Sequence, residues 1–393
     1  MGPYSIPHYS VTDSLFILFV LGANVVFCEW LCRKPGFRHI GTALLVIVVT
    51  AIEANLGLIP TTATPVYDTI FSYLAPFALF LLLLGVNLKD LKQAGLPMLS
   101  MYLLGAVGTV VGVLVSVWVF SAQESIGPLF YALAGMFTGT YTGGSVNFHA
   151  VALHYNVSKA GNLFIAATAA DNIITTLWMM VTLSAPRLLQ RRFPRSLTAR
   201  SLPNSAAITG EPIDAYSDSE TMTPYDLGLL LSLGLGAIWV SQQLATVVPV
   251  PFVLILTTIA LALAQFRVVN KLRGSRLLGL FGIYIFLAVI GAYCDVAALL
   301  SDGRLAGVLF GIIAVAVLVH AGILFGIGAL LRQDWDVLGV ASQANVGGST
   351  SALALAKSLG RPDLQLPAVL VGTLGNALGS YLGIFVAELL RAA

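Results

Sequence analysis

Long apolar runs alternate with short polar stretches along the whole chain. A membrane-spanning helix needs about 20 mostly apolar residues, because it rises about 1.5 Å per residue through a hydrocarbon layer of about 30 Å. The apolar segments, numbered one to twelve in chain order, lie at 12–31, 39–57, 66–87, 97–120, 126–156, 158–186, 225–246, 250–266, 276–300, 305–331, 335–358 and 364–390. The pattern predicts an all-α, polytopic membrane protein in contact with the lipid bilayer.

Composition supports this prediction. Hydrophobic residues make up 58% of the 393 positions and charged residues 10%, against roughly 45–50% and about 25% in soluble domains. The mean hydropathy is +0.90, and a net charge of +2 gives no indication of a nucleic-acid partner. The cysteines, Cys28, Cys32 and Cys294, form no CxxC pair and indicate no disulfide framework.

Segments five and eleven each carry a polar, glycine-rich interruption. The first runs from Thr138 to Ser145 and the second from Ser342 to Ser351. Glycine, serine and threonine lower helix propensity and offer competing hydrogen bonds. Broken backbone at membrane depth is tolerated only where it is buried or lines a cavity. We therefore expect two broken helices, either re-entrant or unwound.

The lysines and arginines indicate which segments cross the membrane. If segments five and eleven are re-entrant and the N-terminus lies outside, 17 of the 20 basic residues fall on the cytoplasmic side. If all twelve segments cross, the split becomes 9 to 11. The positive-inside rule favours the first arrangement, which has about ten crossings. The expected location is a bacterial inner membrane or an equivalent organellar membrane.

The two interruptions also resemble each other. Residues 143–152 match residues 347–356 at five of ten positions, 204 residues apart. The same offset pairs Asn172 with Asn376, and residues 80–85 resemble residues 286–291 at a similar distance. Five crossings per half is an odd number, so the second half would be inverted relative to the first, as in many secondary transporters.

This repeat divides the chain into three parts. Residues 1–186 form the first transmembrane repeat and residues 225–393 the second, inverted one. Residues 187–224 are basic at first, then acidic, and rich in serine, threonine and proline. This composition is typical of a mobile cytoplasmic linker.

At the Gly-Gly-Ser interruptions and at Asp171-Asn172, the chain resembles the YjcL-like membrane proteins of bacteria and plastids. The resemblance covers the whole chain except residues 187–224. More distantly, the plan is similar to the superfamily of cation:proton antiporters, bile-acid:sodium symporters and auxin carriers. This likeness implies an elevator-type transporter, in which a mobile core with two unwound helices moves against a scaffold. It is a likeness of fold and specifies no substrate.

Antiporters of that superfamily carry an acidic pair, or an Asn-Asp pair, on the helix after the first unwound one. The resemblance places Asp171 and Asn172 there, in reversed order, and leaves Asn376 in the second half without an acid. This departure argues against antiport of the familiar kind.

The candidate ion-coupling residues are therefore Asp171, Asn172 and Asn376. A carboxylate at the middle of a span costs at least about 2.5–3.5 kcal/mol, so Asp171 needs a cavity, a partner or a bound cation. We expect Asp171 to ligate Na⁺ or carry a proton, although a protonated carboxyl that only bonds a neighbouring helix is the alternative. The two asparagines could either ligate the ion or join helices.

Substrate- and ion-binding candidates lie at the two interruptions. Carbonyls left free at the end of a first half-helix suit a hard cation, and the N–H groups that begin the second half-helix suit an anion. A packing kink is the alternative. The candidates are Thr140, Thr142, Gly143, Gly144, Ser145, Asn147, Ser342, Asn345, Gly347, Gly348, Ser349 and Thr350.

The leading hypothesis is a secondary transporter of a small organic anion, such as an amino acid, peptide or carboxylate, coupled to Na⁺ or H⁺. The alternative is a monovalent cation:proton antiporter. A remote alternative is an intramembrane hydrolase using Ser145 and His149, which lack a third orienting group. We expect no enzyme activity and no cofactor besides the coupling ion. A homodimer formed through segments one, two, seven and eight is a further possibility.

Overall fold

The structure, a computed structural model, describes residues 12–34, 37, 42–86, 88–194, 222–270, 272–293 and 303–392. Within these ranges every regular element is helical. The helices are α1 (Ser14–Cys32), α2 (Thr42–Asn55), α3 (Pro65–Thr69), α4 (Ala75–Leu83), α5 (Leu96–Val119), α6 (Ala122–Ile126), α7 (Phe130–Gly143), α8 (Ser145–His154), α9 (Gly161–Arg192), α10 (Pro224–Val247), α11 (Phe252–Ala264), α12 (Arg267–Asn270), α13 (Ser275–Ala292), α14 (Gly303–Leu330), α15 (Trp335–Ser358) and α16 (Pro362–Ala392).

Helices of membrane-spanning character dominate the described residues. Eight are long and apolar enough to cross a membrane, namely α1, α3–α4 taken together, α5, α9, α10, α13, α14 and α16. Two shorter apolar helices, α2 and α11, match predicted segments two and eight. Large apolar side chains such as Leu15, Trp118 and Leu330 are highly exposed, which suits contact with lipid. The chain is a multi-pass integral membrane protein.

Segment five folds back on itself at Gly144, whose φ of 100° is left-handed backbone that favours glycine. A Cβ added at Gly139 would lie 3.2 Å from Asn147 Cβ, and one added at Gly135 would lie 3.3 Å from a Val151 methyl. Helices α7 and α8 are therefore antiparallel neighbours. Together they form the first hairpin (residues 130–154).

Segment eleven folds back in the same way. Its backbone breaks at Gly348, with φ 75° and ψ −172°. The 24 residues of α15 would span about 36 Å if they were straight. However, Arg361, just beyond the end of α15, bonds Asp334 and Asp336 at its start, each at 2.8 Å. The two ends of α15 therefore meet, and α15 is the second hairpin (residues 335–358).

The helices associate in two groups. In the first, α7 packs along α16, α5 along α14, and α15 against α5, α9 and α16. In the second, α2 and α4 pack on α13, α1 on α2, and α10 on α11. Both hairpins belong to the first group, which we call the hairpin group; the second is the outer group.

The first residues of the predicted linker are helical. Helix α9 continues to Arg192, past residue 187, and Arg187 donates a hydrogen bond to the Ser358 carbonyl at 3.3 Å. Basic side chains stabilise the last turn of a helix, because its C-terminal end carries partial negative charge. Most of the linker, residues 195–221, lies outside the described residues.

Candidate functional site

The tips of the two hairpins meet inside the hairpin group. A Cβ added at Gly144 would lie 3.6 Å from Gly348 Cα, and one added at Gly348 would lie 3.5 Å from the Gly143 carbonyl oxygen. The structure thus brings together the two glycine-rich interruptions, which are 204 residues apart in the sequence. Helices α8 and the second arm of α15 both begin at this point.

Helix α16 crosses behind the first tip through a line of glycines. A Cβ added at Gly143 would lie 2.0 Å from the Gly375 carbonyl carbon, and one at Gly135 would lie 2.6 Å from the Gly383 carbonyl oxygen. Close backbone approach of this kind is the basis of small-residue packing between membrane helices. Helix α16 also contacts the second hairpin, where its Gly372 packs against Ser349.

Helix α5 supplies hydroxyl groups to the end of α7. The Tyr102 hydroxyl donates to the Thr142 carbonyl at 2.6 Å, and the Thr109 hydroxyl donates to the Tyr141 carbonyl at 2.8 Å. Two of the carbonyls expected to face a cation therefore already accept hydrogen bonds from protein. The same contacts fix the position of the first tip along α5.

Asp171 reaches the first hairpin through Tyr141. Tyr141 and Thr175 are the side chains that interact most directly with its carboxylate. Even so, Asp171 Oδ1 and the Tyr141 hydroxyl are both buried and make no hydrogen bond of normal geometry. The neighbouring Asn172 amide donates to the Thr168 carbonyl at 3.0 Å on its own helix.

His320 of α14 connects four helices. Its Nδ1 lies 2.8 Å from the Gly105 carbonyl oxygen, which only accepts, so Nδ1 carries the proton. In the neutral ring Nε2 is then the acceptor for the Ser342 hydroxyl, at 2.9 Å. Ser342 Oγ also accepts from Trp178 Nε1 at 3.0 Å. The ring thus ties α5, α14, α15 and α9 together in its neutral form.

Several predicted site residues hold the helices together. Asn147 donates to the Gly375 carbonyl at 3.2 Å and accepts from the Ser380 hydroxyl at 2.8 Å. Asn345 donates to the Tyr102 carbonyl at 3.1 Å. Asn147 and Asn345 therefore join the hairpins to neighbouring helices. The Thr142 hydroxyl instead bonds within its own helix, to the Thr138 carbonyl at 2.8 Å.

The remaining predicted residues lie at or beside the tips. Ser145 and Thr350 are exposed, Gly347 and Ser349 are half-buried, and Thr140 is buried. Asn376 places its Oδ1 4.0 Å from the Cβ position of Gly144. Both hairpins thus offer hydroxyl groups where their second arms begin.

Unused hydrogen-bonding capacity is concentrated around this site. Five buried side-chain atoms in the described residues have no hydrogen-bond partner, and four of them are Tyr141 Oη, Asp171 Oδ1, Gln343 Nε2 and Asn345 Oδ1. A buried polar atom left unpaired costs about 1–3 kcal/mol. These atoms therefore have hydrogen-bonding capacity that a polar ligand or an ion could use. Asp171, Tyr141 and Asn345 are the groups here that suit a hard monovalent cation.

Comparison with known proteins agrees with the membrane architecture. The profile described as "Protein of unknown function (DUF819)" matches residues 16–393. The chain belongs to the DUF819 family. It is also 28% identical over 360 residues to the "Uncharacterized membrane protein YjcL" of Bacillus subtilis (strain 168), covering 88% of each chain. The predicted YjcL-like resemblance is confirmed.

In this DUF819 protein each hairpin has a base, the end opposite its tip where its two arms meet. The two bases are held closed by different contacts. At the second, Arg361 bonds Asp334, Asp336 and Asp363, and these contacts raise the pKa of Arg361 above its usual range. At the first, Tyr131 and Tyr155 pack edge to face at 5.4 Å, and the Tyr155 hydroxyl donates to Glu388 at 2.7 Å. Glu388 also forms a longer, exposed ion pair with Arg391, at 3.7 Å. The second base is therefore held by three close ion pairs, whereas the first is held mainly by its tyrosines.

Sequence reasoning missed the α5 residues of this DUF819 site and the role of the α16 glycines. Tyr102 and Thr109 are polar positions seven apart on an apolar helix, which places them on one face. Gly375, Gly379 and Gly383 recur every four residues, as do the glycines of α7. The first spacing indicates a polar face on α5, and the second indicates a face where another helix can pack closely.

Proposed function

We propose that this protein is a cation-coupled secondary transporter of a small organic anion, built from two inverted repeats. The observation that carries the proposal is the meeting of two broken helical hairpins beside a buried, under-bonded carboxylate. Discontinuous helices paired at the centre of a membrane protein are the usual setting for substrate and coupling-ion sites.

The packing pattern supports the repeat. Exchanging the halves pairs α1 with α10, α2 with α11, α4 with α13, α5 with α14, the first hairpin with the second, and α9 with α16. Under this exchange the contact of α2 with α13 corresponds to that of α11 with α4. The contact of α9 with the second hairpin likewise corresponds to that of α16 with the first.

In this proposal the site would bind both the coupling ion and the substrate. Asp171, with the Tyr141 side chain beside it, would hold Na⁺ or a proton. Asn172 and Asn376 follow positions 171 and 375, which the repeat pairs with each other. The N-terminal ends of α8 and of the second arm of α15 point partial positive charge at an anion. Ser145, Ser349 and Thr350 would donate hydrogen bonds to the same group. Movement of the hairpin group against the outer group would give an elevator-type cycle.

A monovalent cation:proton antiporter is the second candidate. Asp171 alone could alternate between a proton and Na⁺, and the under-bonded oxygens around it favour this reading. The paired half-helix N-termini and exposed hydroxyls have no use in pure cation exchange, so we prefer the symporter. The hydrolase reading is less well supported, because His149 Nδ1 bonds the Ser145 carbonyl oxygen, at 2.5 Å, and not its hydroxyl.

The proposed orientation rests on the distribution of lysine and arginine. With the N-terminus outside, the base of the first hairpin faces outward and the ionic base of the second faces the cytoplasm. A bacterial inner membrane, or an equivalent organellar membrane, would supply the Na⁺ or proton gradient. A homodimer through α1, α2, α10 and α11 would leave the hairpin group free to move.

Thermal stability of the purified protein tests the proposal, because a ligand that binds only the folded state raises the midpoint by mass action. Wild type and Asp171→Asn are compared with Na⁺, K⁺, low pH and a panel of organic anions. Uptake of the stabilising anion into proteoliposomes, with and without a cation gradient, is measured in parallel.

We expect Na⁺ or low pH to stabilise the wild type but not Asp171→Asn, and an organic anion to add to this effect. Stabilisation by cations alone would favour the antiporter. If the variant responds to every ligand as the wild type does, Asp171 is structural and the site assignment is wrong. Labelling of Ser145 by a serine-reactive probe would revive the hydrolase.

A further inference from the structure

A crevice of about 360 Å³ opens at the base of the first hairpin, at the opposite end of α8 from the tip. Its walls come from both helix groups, so it lies where the hairpin group meets the outer group. Its lining residues include Asp68, Phe71, His154, Lys159, Gln242 and Phe252. We call it the base crevice.

Two opposite charges line the base crevice. Asp68 and Lys159 are both exposed, and among the described residues neither takes part in an ion pair. They come from different helix groups, since Asp68 lies on α3 and Lys159 just before α9. Because both side chains line the same crevice, a ligand with a carboxylate and an ammonium group has a partner of opposite charge for each group.

The rest of the lining completes the match to a small amphipathic molecule. Gln242 and His154 add further hydrogen-bonding groups to the lining. Phe71 and Phe252 supply apolar surface that suits a short aliphatic side chain. The lining is thus a mixture of polar and apolar surface. The volume lies within the range of about 300–1,000 Å³ that is typical of pockets for small molecules.

The backbone is irregular at the same place. Between α3 and α4 the chain makes a π-helical turn, Ile70–Leu74, which contributes Phe71 and Ser72 to the wall. Single π-helical turns are rare and occur frequently at functional sites. This observation is independent of the charges and of the cavity volume.

We propose that the base crevice binds a zwitterion, an α-amino acid or a short peptide, with Lys159 toward the carboxylate and Asp68 toward the ammonium group. We further propose that the transported substrate enters through this crevice. That role rests on the function proposed above, and it narrows the substrate class from organic anions to zwitterions. Binding of a zwitterion at the crevice can be measured independently of transport.

Binding of matched probes tests the proposal. L-alanyl-L-alanine and L-alanine carry both charges, propionate carries only the carboxylate, and ethylammonium carries only the ammonium group. Kd values come from the concentration dependence of the thermal midpoint of the full-length protein. The variants are Asp68→Asn, which keeps the side-chain shape, and Lys159→Gln, which replaces the charge with a neutral polar group. Glu124→Gln and Lys92→Gln are controls at exposed positions outside the crevice.

We expect at least one zwitterion to bind more tightly than propionate and ethylammonium. Each crevice variant should weaken it by about threefold or more, while the controls leave its Kd unchanged. The same loss should appear on the Asp171→Asn background, because the crevice lies away from that carboxylate. Propionate binding as tightly as the zwitterions, an absence of zwitterion binding, or an unchanged Kd in both variants would overturn the proposal.

Uptake into proteoliposomes separates this proposal from the proposed function. If zwitterions bind at the crevice but no anion or zwitterion is transported, the crevice site stands and the transporter proposal fails. If transport occurs and both crevice variants bind and transport as the wild type does, the function stands and the crevice proposal fails.

Discussion

Gly143 and Gly375 touch through their backbones, since a Cβ added at Gly143 would lie 2.0 Å from the Gly375 carbonyl carbon. The first belongs to the tip of the first hairpin and the second to the middle of α16. No side chain fits between the two helices at this point. Hairpin and helix are therefore fitted together as one unit.

We predict that Gly375→Ala destabilises the protein by about 2–3 kcal/mol, because the added methyl group would overlap the backbone of Gly143. The matched control is Gly326→Ala in α14, where nothing lies within 4 Å of the added Cβ. That change should be neutral or stabilising by up to about 1 kcal/mol, since alanine is the better helix former. Thermal midpoints in detergent compare the two, and equal midpoints would contradict the close packing.

Ser342→Ala should lower stability by about 2–4 kcal/mol, because it removes a hydrogen-bond partner from both His320 Nε2 and Trp178 Nε1 in the interior. Ser358→Ala is the control, since its hydroxyl is exposed and bonds only within its own helix, at 2.9 Å. Hydrogen exchange of the second hairpin should rise in the first variant alone. If Ser342→Ala keeps its stability, Ser342 is free to act as a ligand and not as a brace.

Arg361→Gln should open the base of the second hairpin, because one guanidinium holds three carboxylates there. The expected loss of stability is about 1–3 kcal/mol, the range for hydrogen bonds to charged groups. Arg304→Gln, at an exposed position on α14, is the control. Protease cleavage near residues 358–361 measures the opening, and an unchanged cleavage rate would show that the ion pairs do not hold the base closed.

Each hairpin should begin and end on one side of the membrane. Single cysteines at Gln123 and Asn156 flank the first hairpin, and those at Leu331 and Ser358 flank the second; all four positions are exposed. In a background without the native cysteines, a membrane-impermeant thiol reagent should label the first pair from outside. It should label the second pair only after permeabilisation. Labelling of Gln123 and Asn156 from opposite sides would contradict a re-entrant hairpin.

The broad plan was predictable because it depends on chemistry local to each segment. Apolar length specifies the spanning helices, and the glycines at 144 and 348 mark the two breaks, where positive φ favours glycine. The distribution of lysine and arginine favours re-entrant elements, and the folded-back geometry of both hairpins agrees with it. Which helices pack together could not be inferred, since apolar side chains match any apolar neighbour.

The functional assignment of individual residues was harder for a related reason. Asn147 and Ser342 are polar residues at a break, and the sequence alone does not distinguish a ligand from a brace. The distinction depends on partners far along the chain, namely Ser380 for Asn147 and His320 for Ser342. Asp171 differs from them, because a carboxylate in a span is unusual by itself.

The different closures of the two hairpin bases have a consequence for how the protein responds to its surroundings. Partly exposed ion pairs weaken as ionic strength rises, since mobile ions screen them over about 10 Å at 0.1 M salt. Edge-to-face packing of Tyr131 and Tyr155 depends little on salt. The two hairpins therefore have unequal sensitivity to the electrolyte, and the one closed by Arg361 loosens first as salt concentration increases.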